Sequence, residues 1–106
     1  MNDRQIIDDR LNMLMSSYFK SKRLERGLTG KQMGKLLCVS QQQISRYERG
    51  ETVIPLSFMV FFLNSYAFNL NDFFDYISNG IAARYNLEVD DDYPCLNTGL
   101  PPYARM

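Results

Sequence analysis

The chain contains no histidine, and this absence limits the chemistry that it can perform. Histidine is the commonest general base near neutral pH and the commonest metal ligand in proteins. The sequence also offers no glycine-rich phosphate loop, no nucleophile elbow and no clustered metal ligands. The acidic run Asp90–Asp92 is interpreted as a solvated stretch. We therefore predict that the protein is not an enzyme and that it uses no metal and no cofactor.

Long apolar stretches and closely spaced cysteines are also lacking. Polar residues interrupt the apolar segment 55–68, so no run reaches the roughly 18 residues that a membrane span requires. The beginning of the sequence is acidic and has no apolar signal-peptide core. Cys38 and Cys95 are far apart, which fits reduced thiols. These features predict a cytoplasmic protein without a membrane partner, and no small-molecule ligand is evident.

An excess of charge of one sign is absent overall, because 12 Lys and Arg balance 12 Asp and Glu. The distribution along the chain is nevertheless uneven. Residues 1–49 hold ten Lys and Arg against five Asp and Glu, a balance of +5, whereas residues 50–106 hold two against seven, a balance of −5. A basic half of this kind can face a phosphate backbone while the acidic half faces away.

Two short helices joined by a tight turn are predicted within residues 28–50, LTGKQMGKLLCVSQQQISRYERG. Thr29 with Gln32, and Ser40 with Gln43, each have the Ser/Thr-x-x-Gln spacing of a capping box at a helix start. Only two residues separate the predicted helices. So short a connection between two short helices indicates a helix-turn-helix.

Apolar residues recur at helical spacing through most of the remaining chain. The pattern predicts an all-α fold, a compact bundle of about five helices that includes the helix-turn-helix. Residues 3–26 are predicted to form one long helix, or a short helix followed by a longer one. The other predicted helices span about residues 30–37, 41–49, 56–67 and 70–83. We assign residues 1–85 to this domain. Residues 86–106 are predicted to form an irregular, loop-rich acidic tail, because they combine consecutive acids with several prolines.

Residues 18–74 resemble the phage-repressor and Cro family of helix-turn-helix proteins, the XRE type, and residues 1–17 would be a helical extension of this core. The resemblance is carried by KSKRLERGL at 20–28 and SQQQISRYERG at 40–50. The second run looks especially like the MrpJ-type regulators encoded with fimbrial operons. The resemblance implies a sequence-specific DNA-binding transcriptional regulator of a fimbrial or adhesion operon, with repression of flagellar motility genes.

Long amide and guanidinium side chains at the start of the second helix suit the reading of base edges in the major groove. The residues predicted to contact bases, by position in the family or by lying on the same exposed side, are Gln41, Gln42, Ser45 and Arg46. The residues predicted to contact phosphates are Lys20, Lys22, Lys31, Lys35, Gln43 and Arg49. Arg23 and Glu48 match positions that form an internal ion pair in some members of the family.

Two positions depart from the family pattern. At the first position of the first short helix, where the family often has a phosphate-binding Gln, this chain has Gly30. In the turn between the two short helices, where the family usually has Gly, it has Cys38. We expect Cys38 to adopt a left-handed backbone conformation, with about 1–2 kcal/mol of strain. Its thiol is expected to be a small buried apolar group. Gly34 is expected to be small because the next helix crosses close to it.

The fourth and fifth predicted helices carry more apolar surface than a small core can cover. This surplus predicts a homodimer bound to a palindromic or pseudo-palindromic site in double-stranded DNA. The predicted interface residues are Phe58, Phe61, Phe73, Phe74 and Tyr76. A different class of function stays open, in which the same fold serves as an antitoxin-like or co-regulator module and the acidic half binds a protein partner.

Overall fold

The computed structural model describes residues 3–85, with side chains for residues 4–82. This part of the chain is all-α, as predicted, and no strand occurs within it. Its helices are α1 (Asp3–Glu25), α2 (Gly30–Leu37), α3 (Gln41–Glu48), α4 (Leu56–Ser65) and α5 (Leu70–Tyr85). The bounds lie within two residues of the predicted ones. The predicted acidic tail, residues 86–106, lies outside the described residues.

Side chains at the helix starts satisfy the backbone N–H groups that have no partner within the helix. At α2 the Gln32 N–H donates to Thr29 Oγ1 at 3.0 Å and the Thr29 N–H donates to Gln32 Oε1 at 2.8 Å, so the predicted capping box is complete. At α3 the Gln43 N–H donates to Ser40 Oγ at 3.0 Å. The Gln43 side chain does not return a bond, because it lies in the groove described below. The second capping box is therefore only half formed.

Two glycines and one asparagine set the remaining boundaries. Gly27 and Gly50 adopt φ values of +70° and +75° where the chain leaves α1 and α3, a conformation that glycine adopts without steric cost. Asn69, a residue type favoured just before a helix, caps α5, since the Asn71 N–H donates to Asn69 Oδ1 at 2.8 Å.

The core lies between the inner sides of all five helices. Its most deeply buried side chains are Phe19, Met33, Ile44, Ile54, Met59, Phe62, Leu63 and Phe73. Phe73 is only 2% exposed in the single chain, and its ring centroid is 5.2 Å from that of Tyr18. It therefore belongs to the core, which corrects its assignment to a dimer interface. The helical spacing of Leu56 with Met59 and Leu63 predicts that it faces inward, but Leu56 is 52% exposed because it is the first residue of α4.

Two helix pairs approach too closely for a side chain at the contact. A Cβ atom on Gly34 would lie 2.6 Å from the Val39 carbonyl oxygen, so the start of α3 does cross close to α2 there. A Cβ atom on Gly80 would lie 2.6 Å from Leu14 Cδ2, where α5 packs on α1. Among residues 3–85, no helix has the length and apolar character needed to cross a membrane.

Candidate nucleic-acid interface

The turn between α2 and α3 is formed by Cys38 and Val39. Cys38 has φ 60° and ψ 39°, so the predicted left-handed conformation is confirmed. Its thiol is exposed, which corrects the expectation of burial. Val39 packs against the core instead and covers this corner of the domain. The Val39 N–H donates to the Gly34 carbonyl at 2.9 Å, which fixes the angle at which the chain enters α3.

One side of α3 is held firmly by the rest of the domain. Ile44 and Tyr47 are 1% and 6% exposed and lie in the core. Next to them the predicted ion pair is formed, with Arg23 Nε 2.6 Å from Glu48 Oε2 and Arg23 Nη2 3.0 Å from Glu48 Oε1. The remaining Arg23 Nη1 donates to the Leu28 carbonyl at 2.6 Å. This bidentate pair joins α1 to the last turn of α3, and its side chains are only 13% and 8% exposed.

The opposite side of α3 forms an open polar groove of about 410 Å³. We call it the α3 groove. It is lined by Ser40, Gln42, Gln43, Ser45, Arg46 and Arg49. Three of the predicted base contacts, Gln42, Ser45 and Arg46, therefore lie together. Two residues predicted to contact phosphates, Gln43 and Arg49, line the same groove.

Gln41 is exposed but does not line the α3 groove. It lies instead beside the start of α2, where a Cβ atom on Gly30 would be 3.4 Å from Gln41 Cγ. The departure from the family pattern at Gly30 thus leaves room for the Gln41 side chain. The structure separates Gln41 from the other three predicted base contacts.

Arg49 is engaged within the α3 groove. Its Nη1 donates to Ser45 Oγ at 2.8 Å, and its Nε donates to Glu51 Oε2. The hydrogen bond from Arg49 lowers the pKa of the Glu51 carboxyl, and the charges of Arg49 and Arg46 act in the same direction. Glu51 is therefore a stable negative charge at the edge of a basic groove. Sequence analysis missed it because it follows Gly50, beyond the end of the helix whose spacing was interpreted.

The predicted phosphate-contacting lysines of α2 are available for a ligand. Lys31 and Lys35 are exposed, as is Lys20 on α1. None of the three forms a salt bridge with another residue in the described part of the chain. Lys31 and Lys35 lie on the helix that packs directly against α3.

Lys22, the remaining lysine of that group, is placed differently. Its Nζ lies 3.1 Å from Glu25 Oε2 and 5.1 and 5.3 Å from the ring centroids of Tyr18 and Phe68. These partners are on α1 and in the connection between α4 and α5. The sequence pattern grouped Lys22 with the other cations, whereas the structure uses it to cover aromatic rings away from the α3 groove.

A second, apolar groove of about 460 Å³ lies between α1, α5 and the connection from α3 to α4. Its lining residues are Leu11, Met15, Val53, Ile54, Pro55, Leu56, Phe73, Phe74 and Ile77. Val53, Leu56 and Phe74 are 62%, 52% and 50% exposed. Sequence analysis did not identify this groove, because Val53 and Leu56 are distant from Phe74 along the chain.

The other aromatic residues assigned to a dimer interface do not line the apolar groove. Phe61 and Tyr76 are exposed elsewhere on the surface, at 53% and 39%. Phe58 is half-buried, with its ring edge-on to Tyr47 at a centroid distance of 6.3 Å. Phe58 thus supports α3 from within the domain.

Helices α2 and α3, with the two-residue turn between them, form a helix-turn-helix whose second helix carries the α3 groove. Residues 19–67 match the model of a family described as helix-turn-helix, of the XRE type, and this segment runs from α1 through α4. The match supports a DNA-binding transcriptional regulator whose ligand is double-stranded DNA. No curated protein and no solved structure gave a significant match.

Proposed function

We propose that the protein is a sequence-specific transcriptional regulator that reads DNA with the α3 groove. The observation that carries this proposal is the contrast between the two sides of α3. Gln42, Ser45 and Arg46 are accessible on one side, while the other side is fixed by the core and by the pair of Arg23 with Glu48. A helix fixed in this way presents its polar side chains at defined positions, as base recognition requires.

The exposed cations of α2 fit the accompanying role of phosphate contacts. With α3 in the major groove, α2 crosses the DNA backbone in this class of protein. Lys31 and Lys35 would then contact phosphates, which set the position of the protein on the duplex without reading sequence. Within the groove, the Arg46 guanidinium can donate to guanine O6 and N7, and the Gln42 amide can pair with adenine N6 and N7.

The regulator is proposed to act as a homodimer on a palindromic or pseudo-palindromic site. The apolar groove supports this, because exposed apolar surface of this kind commonly marks an interface. Val53 lies in the connection from α3 to α4, and Leu56 begins α4. Pairing through this surface would therefore hold two copies of α3 at a fixed spacing, about 34–36 Å on successive turns of DNA.

A matched pair of substitutions tests the dimer. Phe74 lines the apolar groove and Phe61 does not, although both are about half exposed. We expect sedimentation of the wild type at micromolar concentration to give a dimer. Phe74→Ser should give a monomer and Phe61→Ser should leave the dimer intact. A wild-type monomer would contradict the dimer, and dissociation by Phe61→Ser alone would place the interface on another surface.

The target genes are proposed to be a fimbrial or adhesion operon, with repression of flagellar motility genes. The support is the resemblance of residues 40–50 to the MrpJ-type regulators. Such a protein would act in the cytoplasm, on the nucleoid. Genome-wide mapping of bound DNA in cells, compared with an Arg46→Ala variant, tests this assignment. Binding sites concentrated away from adhesion and motility genes would contradict it.

One observation favours a second candidate, a protein-interaction module of the antitoxin or co-regulator type. The apolar groove could hold a segment of another protein, and the α3 groove would then be secondary. A salt series on DNA separates the two candidates. Specific binding that weakens steeply with added salt supports the regulator, because phosphate contacts release counterions. A complex that needs a protein partner and tolerates loss of Gln42 and Arg46 supports the interaction module.

A further inference from the structure

The hydroxyl group of Ser45 acts as a hydrogen-bond acceptor but not as a donor within the described residues. It accepts a hydrogen bond from Arg49 Nη1 at 2.8 Å. Within residues 4–82 it donates none. The other helical serine with a side-chain hydrogen bond behaves differently, since Ser65 Oγ donates to the Phe61 carbonyl one turn earlier at 2.7 Å. Ser45 makes no such bond to the carbonyl of Gln41, so its hydroxyl hydrogen is free to point into the α3 groove.

We propose that Glu51 and Arg49 hold Ser45 as a hydrogen-bond donor that reads an acceptor atom on a base edge. This inference rests on the proposed reading of DNA by the α3 groove. Ser45 was already predicted to contact a base, and the inference adds two roles: Arg49 is a positioning residue for Ser45, and Glu51 fixes Arg49. Arg49, which was predicted to contact a phosphate, would instead act through Ser45.

The direction of the hydrogen bond follows from the chemistry of the guanidinium group. Arginine has five N–H donors and no acceptor, so a hydroxyl group bound to it can only accept. A serine without such a neighbour can either donate to a base or accept from one, and it discriminates poorly. When its oxygen already accepts from a cation, its O–H becomes a stronger donor because hydrogen bonds in a chain polarise one another. A second lone pair of Ser45 remains, but the positive charge of Arg49 beside it disfavours the approach of another donor. Ser45 should therefore favour purine N7, guanine O6 or thymine O4 over the amino groups of adenine and cytosine.

Glu51 explains why Arg49 keeps this position. The two side chains are 58% and 47% exposed, so packing alone does not fix the guanidinium group against the helix. The carboxylate of Glu51 accepts from Nε, which leaves Nη1 directed at Ser45. The same carboxylate repels phosphate groups, so it disfavours the use of Arg49 as a nonspecific backbone contact. Removing Glu51 should free Arg49 for that second role.

Selection from a randomised duplex library tests the chain of contacts. Wild-type protein should select a site with an acceptor-bearing base at one particular pair. Ser45→Ala, Arg49→Gln and Glu51→Ala should each lose preference at that same pair, by about two- to tenfold, the range of a single hydrogen bond. Ser45→Thr keeps the hydroxyl group and should retain the preference. Ser21→Ala and Asp75→Ala, at exposed positions on α1 and α5, are the matched controls and should change no preference.

The salt dependence of binding separates positioning from phosphate contact. Arg49→Gln should leave the slope of log affinity against log salt unchanged, whereas loss of a phosphate contact reduces it by about one. Glu51→Ala should raise affinity for all sequences and steepen the slope, because Arg49 is released to the backbone. A reduced slope for Arg49→Gln would overturn the inference and restore Arg49 as a phosphate contact.

The inference and the proposed function fail in different ways. The wild type could select a clear site while the variants keep its preference at every base pair or change it at unrelated pairs. That result would overturn the contacts proposed for Ser45, Arg49 and Glu51 and would leave the reading of DNA by the α3 groove intact. A wild type that selects no sequence would overturn both. Melting temperatures close to the wild-type value are expected for all these variants, since each change lies on the exposed side of the domain.

Discussion

The two Arg–Glu pairs at the end of α3 have the same chemistry and very different surroundings. The pair of Arg23 with Glu48 joins α1 to α3, and its side chains are 13% and 8% exposed. The pair of Arg49 with Glu51 lies two residues apart in the chain, at 58% and 47% exposure. The first pair fixes the helix in the domain, and the second orients a side chain in the α3 groove.

The energies of the two pairs should differ accordingly. Removing one partner of a buried pair strands the other charge away from water and typically costs about 3–5 kcal/mol. An exposed pair contributes about 0–1 kcal/mol, because water and salt screen it and its side chains lose entropy when they meet. One side of α3 can therefore carry the stability of the domain, while the side chains on the other can change without unfolding it.

The largest effect is expected when the buried pair is broken. Glu48→Ala should lower the free energy of unfolding by about 3 kcal/mol, because Arg23 would be left without its carboxylate. Glu51→Ala removes a carboxylate from the exposed pair and should cost far less, because water and salt already screen that pair. Urea denaturation of the two variants measures both values. Equal losses would show that burial does not distinguish the pairs.

A smaller effect is expected at the contact that sets the angle of α3. In Gly34→Ala the new methyl group would meet the Val39 carbonyl oxygen at 2.6 Å, and such overpacking costs about 1–3 kcal/mol. Gly30→Ala is the matched control, because its methyl group would meet only the movable side chain of Gln41 at 3.4 Å. That change should stabilise α2 by up to about 1 kcal/mol. Stabilisation by both substitutions, measured in urea, would mean that α2 and α3 can separate without loss.

Relief of strain in the turn should give a modest gain. Cys38 has a positive φ of 60°, and replacing it by glycine removes about 1–2 kcal/mol of strain while adding about 0.5–1 kcal/mol of entropy to the unfolded chain. Cys38→Gly should therefore stabilise the protein by about 0.5–1 kcal/mol and leave DNA binding unchanged. Cys38→Ala controls for loss of the thiol and should give no gain. A lower melting temperature for the glycine variant than for the alanine variant would refute the strain.

The smallest effect expected is on the pH dependence of stability, and it arises from Tyr18, a buried residue of α1. Burial raises the pKa of Tyr18, although the nearby charge of Lys22 opposes the shift. The pKa of Tyr18 is higher in the folded protein than in the unfolded chain, so folding favours the protonated phenol. The stability linked to this phenol is therefore complete below about pH 10 and is lost as the pH rises through the folded pKa. Tyr18→Phe should flatten the alkaline end of the stability profile. An unchanged alkaline loss in the variant would assign it to another group.

The helix boundaries were predictable from capping residues and glycines close to them in the chain. The ion pair of Arg23 with Glu48 was predictable because both residues match positions that form such a pair in the helix-turn-helix family. Thr29 with Gln32, and Gly27 and Gly50, have local roles that short-range rules capture. The burial of neighbouring aromatic residues was not accessible in the same way. Phe73 is 2% exposed and Phe74 is 50% exposed, and only the packing of α5 against α1 distinguishes them.

The parts of the site that sequence analysis missed depend on side chains meeting beyond a single helix. Lys22 lies over Phe68, and Gln41 lies beside Gly30, although neither pair is marked by helical spacing. Glu51 lies outside α3 and reaches the groove only because Gly50 turns the chain. Helical periodicity identifies which residues share a helix face, but it cannot assign partners from other segments.

The central claim is that the exposed side of α3 reads sequence while α2 contacts the backbone. Binding of wild type, Arg46→Ala and Lys35→Ala across a randomised site library tests it most directly. Arg46→Ala should cost about 1–3 kcal/mol on the preferred site and relax preference at one base pair. Lys35→Ala should weaken all sequences alike and reduce the salt slope by about one. If Arg46→Ala kept the preferred sequence and weakened every site equally, Arg46 would be a phosphate contact and the reading side would be wrongly assigned.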